Sequence, residues 1–88
     1  MSWCHFIIED DYAGRIKTVE FMDKFAQKGR DAGVSEGVSV YQGKTIDGKY
    51  IYYFSPVASS IAQDILRTFK ATPCSEEPDL EGCTEIKV

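Results

Sequence analysis

The rhythm of apolar and polar residues changes several times along this chain, and each change marks an element. Trp3 to Glu9 (WCHFIIE) is short, rich in strand-forming residues and closed by the acidic turn Asp10-Asp11, which reads as a β-strand. Its apolar residues fall on both parities, Cys4/Phe6/Ile8 and Trp3/Ile7, as expected of an interior strand covered on two sides. The period then becomes helical. Ile16, Val19, Met22, Phe25, Ala26 and Gly29 share one stripe, which Ala32 continues, while Lys17, Lys24 and Lys28 lie elsewhere. This predicts an amphipathic helix over 14–32 with Gly33 as its stop.

Alternation returns in VSVYQGKTI and KYIYYFS, on either side of Asp47-Gly48. That dipeptide suits a two-residue hairpin turn, which would set Gly43 opposite Tyr52 and Tyr41 opposite Phe54. Ser55-Pro56 has the chemistry of a helix start, a hydroxyl cap followed by a residue with no amide to lose. The helix it opens carries Ala58, Ile61, Ala62, Ile65, Leu66 and Phe69 on its apolar stripe and ends before Thr72-Pro73. The tail CSEEPDLEGCTEIKV reads as an acidic loop followed by a short strand, Thr84 to Val88.

Strand, helix, hairpin, helix, strand is the split βαβ pattern. Residues 1–88 are therefore expected to form a single α+β domain, a ferredoxin-like βαββαβ sandwich. Two helices would lie on one face of a four-stranded antiparallel sheet, with the first and third strands central. The name describes shape, not an iron–sulfur site.

That architecture leaves one sheet face without helices. KYIYYFSP puts four rings into five consecutive residues, Tyr50 to Phe54, and a strand sends neighbours to opposite faces. The expected division places Val38, Val40, Ile46, Ile51 and Tyr53 under the helices with Phe6 and Ile8. Trp3, His5, Ile7, Tyr41, Tyr50, Tyr52 and Phe54 are then left on the open face, where phenol hydroxyls would meet water or a partner. A one-residue slip in register inverts this division. An open face of that kind seeks cover, from a second copy of the chain or from its own tail. The expected function is thus a small homodimeric binding or assembly domain. A small-molecule ligand is a further possibility for the same face.

Composition narrows the alternatives. A chain of 88 residues with 43% hydrophobic and 27% charged residues is ordinary for a globular domain with a thin core. A net charge of −4 opposes nucleic acid and anionic membranes. No apolar run is long enough to span a bilayer, and MSWCHFIIEDD lacks the basic start of a secretion signal. With three cysteines, an odd number, reduced thiols and a cytoplasmic location are expected, and a Cys74–Cys83 bridge is left to geometry.

His5, the only histidine, is the candidate catalytic residue of an alternative reading, a small dimeric enzyme with a His5/Tyr pocket in which Tyr50 or Tyr52 assists. A third reading is a single-stranded nucleic-acid binder stacking bases on sheet aromatics, as RNA-recognition domains of this topology do. GKYIYYF has aromatics at alternating positions, but its Lys-Gly order is reversed relative to the usual motif. Glu9, Asp10 and Asp11 are a polar turn and helix start before they are a Mg²⁺ site. Cys4, His5, Cys74 and Cys83 match a Cys₃His zinc set in number only, because Cys4 and His5 point to opposite faces of a regular strand. No metal and no cofactor is expected.

Overall fold

The computed structural model describes residues 2–33, 38–74 and 76–87. Among the described residues the chain is α+β, with three helices and one five-stranded antiparallel sheet. In order these are β1 (Trp3–Ile8), α1 (Tyr12–Asp31), β2 (Ser39–Lys44), β3 (Tyr50–Phe54), α2 (Pro56–Ile61), α3 (Gln63–Thr68), β4 (Thr72–Cys74) and β5 (Thr84–Lys87). The strands lie in the order β4-β1-β3-β2-β5, so β1 and β3 are both interior. No helix among the described residues is long and apolar enough to cross a membrane.

Helices α1 and α2 start where local chemistry dictates. Asp11 caps α1, its carboxylate accepting from the Gly14 amide at 2.7 Å, and Ser55 caps α2 by accepting from Ala58. Gly33 follows α1 with φ +71°, the left-handed stop expected there. The second helix is divided at Ala62 (φ −118°, ψ 30°), and nothing in the local sequence explains the break. After α3, the amide of Ala71 bonds Leu66 O and that of Lys70 bonds Arg67 O. This paired closure puts Lys70 at φ +54°, where glycine is usual.

The sheet differs from expectation in two places. The strand beside β1 is Thr72–Cys74, and the C-terminal strand pairs with β2 at the opposite edge, giving five strands rather than four. A three-residue strand containing proline carries a weak sequence signal, and proline is tolerated there because β4 is an edge. Val88, the last residue of the expected strand, lies outside the described residues.

The second difference is the hairpin register. Val40 pairs with Phe54, Tyr41 with Tyr53 and Gly43 with Ile51, one residue away from the expected alignment. Its cause is the turn. Thr45 and Lys49 close a three-residue loop, Ile46-Asp47-Gly48, in which Gly48 alone has positive φ, +86°. A type I′ turn needs positive φ at both central residues, whereas this loop needs it only at its last. The Thr45 hydroxyl bonds the Asp47 carboxylate across the loop.

The extra loop residue inverts the face division of β3. Tyr52 and Phe54, expected on the open face, are 0% exposed beneath the helices, and Tyr50 packs against the same core. Ile51 and Tyr53, expected inside, take the open side. Ile46, also assigned to the core, sits fully exposed at the loop. The core is consequently aromatic. Phe6 stacks on Phe69 at 4.7 Å, and Phe21 meets Tyr52 edge to face at 4.8 Å. A tyrosine is accommodated there because its hydroxyl has partners, Gln42 Nε2 at 2.8 Å and Thr18 Oγ1 at 3.2 Å.

Helix α1 faces inward through Gly14, Phe21, Phe25 and Gly29. That stripe is rotated from the expected one, so Ile16 and Val19 are exposed. The rotation follows from the close approach of the helix start to β1. A Cβ on Gly14 would lie 1.8 Å from the Glu9 carbonyl oxygen, so only glycine fits against that turn.

Candidate functional site

The face away from the helices is built by the second parity of each strand. Trp3, His5 and Ile7 of β1 point there, with Ile51 and Tyr53 of β3 and Tyr41 of β2. Of the seven residues expected on this face, the structure brings together Trp3, His5, Ile7 and Tyr41 and places Tyr50, Tyr52 and Phe54 in or against the core. Trp3 and Tyr41 approach across β3 with ring centroids 6.0 Å apart. Ile7 is half exposed.

The tail joins β4 at one edge of the sheet to β5 at the other, and it passes over this face. One contact marks its path. The Cys83 sulfur lies 2.9 Å from where a Cβ on Gly43 would be, and Gly43 has the parity of Tyr41. Burial raises the Tyr53 phenol above its ordinary 10.0, and the charges of Cys83, Cys74 and Asp79 add to the rise. Gly43 thus leaves room for Cys83. Pro78 and Leu80 are half-buried along this path, while Glu76, Glu77, Asp79 and Glu81 are exposed.

Cys74 and Cys83 are both free thiols. Cys74 is on β4 at one edge of the sheet, and Cys83 directly precedes β5 at the other. A disulfide needs Cα atoms within about 7 Å, so these two do not bridge in this fold. Cys4 packs toward the core, the side opposite His5, so Cys4 and His5 do not converge.

His5 is positioned by two neighbouring strands. Its Nδ1 lies 3.0 Å from Cys74 Sγ, and its ring is 5.9 Å from that of Tyr53. The tyrosine expected beside it was Tyr50 or Tyr52, and the register shift substitutes Tyr53. Sequence reasoning missed Cys74 because the chain after Pro73 was assigned to a loop. The one available signal was that Pro73 ends the helix early enough for a strand to follow.

The acidic turn is fully engaged elsewhere. Glu9 pairs with Lys49 at 3.0 Å, Asp10 with Lys44 at 3.4 Å and Arg15 at 3.7 Å, and Asp11 caps α1. These exposed pairs are worth little individually, but they hold the hairpin loop against the start of α1. Beside them is a cleft of about 310 Å³ lined by Ile7, Asp11, Lys17, Phe69 and Lys70 among others. Ile7 is the only expected site residue that borders it.

The raised Tyr53 value carries a pH consequence. A folded value above the unfolded one favours the neutral phenol in the fold. Its contribution to stability is complete below about pH 10 and is lost as pH rises through the folded value. The ultraviolet phenolate titration of the wild type minus that of Tyr53→Phe is expected to have its midpoint above 10. A midpoint at 10 or lower would show that the tail does not bury this ring. Compared with protein-family models, with curated proteins and with solved structures, the chain matches none.

Proposed function

We propose that this chain is a small binding and assembly domain of ferredoxin-like build, and that it pairs with a second copy through the sheet face turned away from the helices. The strand order β4-β1-β3-β2 with helices on one side supports the architecture, and β5 extends it at the β2 edge. The observation that carries the functional reading is the apolar surface at the two ends of that face, Trp3 with Tyr41 and Ile7 with Ile51, on a side that no helix covers. Each large aromatic side chain buries roughly 150–250 Å² when covered. A stable interface removes on the order of 1,200–2,000 Å² in total, so several such contacts are required from each copy.

The tail gives the association a recognisable signature. Glu76, Glu77, Asp79 and Glu81 lie in the segment that crosses the face, so two copies bring like charges together. Salt screens that repulsion, and dimerisation is expected to tighten as ionic strength rises. Single-stranded nucleic acid would meet the same carboxylates and be repelled by them, which is why that reading is not adopted. Sedimentation equilibrium at low and high salt tests the proposal, with Ile7→Asp expected to give monomers of unchanged thermal stability. A monomer at both salt concentrations and high protein concentration removes it.

A further inference from the structure

We infer that Cys74 is a nucleophilic thiol assisted by His5, and that its target class is the sulfur–sulfur bond of a small disulfide. Three features carry this. Cys74 Sγ and His5 Nδ1 are 3.0 Å apart, within reach for the imidazole to take the thiol proton, the arrangement of a nucleophile beside its base. Cys74 is partly exposed on β4, which pairs with β1 alone, so one side of the strand is open to an incoming molecule. No second thiol stands close enough to close a bridge, since Cys4 lies toward the core and Cys83 lies over β2.

The chemistry balances without a further reagent. Nδ1 of His5 accepts the proton from Sγ of Cys74. The thiolate attacks one sulfur of R–S–S–R, a new Sγ–S bond forms, and the R–S⁻ that leaves takes the proton back from the imidazolium. Cys74 is oxidised to a mixed disulfide and half of the small disulfide is reduced to RSH. With no resolving cysteine in the fold, the mixed disulfide persists until an external thiol reverses the exchange. Tyr53 of β3, Asp79 and Cys83 of the tail and, farther off, Tyr41 of β2 and Glu85 of β5 are titratable groups on the same face. His5 lies on the face proposed to pair, so pairing would screen the thiol, and the reaction is followed on dilute protein.

The test uses the intact wild-type chain and dithiodipyridine, a neutral disulfide that the net charge of −4 does not repel. Peptide mass mapping after partial reaction at about pH 6.5, within the titration range of imidazole, is expected to find Cys74 modified at least about tenfold faster than Cys4 or Cys83. In His5→Asn the Cys74 rate is expected to fall about tenfold at that pH and to recover toward alkaline pH, where an unassisted thiol ionises by itself. Equal rates at the three cysteines of the wild type overturn the inference, whether or not the variant folds. So does a folded His5→Asn protein with an unchanged pH–rate profile.

Discussion

Tyr52→Ala is expected to destabilise the protein by about 3–5 kcal/mol, the cost of emptying an aromatic side chain from a packed core. Tyr52 is fully buried and touches the rings of Phe6 and Phe21. Removing it also leaves Gln42 and Thr18 without the hydroxyl they share. Against a total of roughly 5–10 kcal/mol for a domain of this size, this is a large fraction. The neighbouring change, Tyr53→Ala, is expected to cost less than half as much, because Tyr53 is only half-buried beneath a tail. Urea unfolding of the two variants measures both. The reverse ranking would mean that β3 has the register of a two-residue turn, and the open face would then be a different surface.

Gly14→Ala is expected to destabilise by about 2–3 kcal/mol, although alanine is normally the better residue in a helix by about 1 kcal/mol. The new methyl would lie 1.8 Å from the Glu9 carbonyl oxygen and 3.0 Å from Ile8 Cγ2. A backbone oxygen cannot rotate aside as a side chain can, so either the helix start or the acidic turn must move. Thermal unfolding by circular dichroism checks this. An unchanged or raised midpoint would show that α1 does not sit this close to the end of β1.

Much of the architecture was legible from local chemistry. The caps at Asp11 and Ser55, the stop at Gly33 and the alternation in the hairpin strands each depend on a few adjacent residues, although α1 begins at Tyr12 rather than residue 14 and the second helix is split at Ala62. What could not be read were quantities set across the fold. Asp47-Gly48 is compatible with loops of two or three residues, and choosing between them decides which side of β3 is buried. The choice is made by packing, since the three-residue loop lets Tyr52 reach Thr18 and Gln42 while filling the space beneath the helices. A tyrosine in the core looks wrong in a sequence because its hydrogen-bond partners are distant in the chain. The rotation of α1 has the same origin, a close contact between Gly14 and Glu9 that periodicity does not report. On the candidate face, the β1 residues followed from strand parity alone. Tyr53 and Cys74 did not, because one depends on the hairpin register and the other on a strand too short to announce itself.

The margins of the sheet decide how this molecule can meet its own kind. The outermost strands have three and four residues, against five or six in the three they enclose, and one of them contains Pro73, which has no backbone hydrogen to donate. Such truncated borders give an incoming strand little to lengthen into a continuous ribbon, a common defence against fibre formation. Copies crowded together therefore gain little by joining edge to edge.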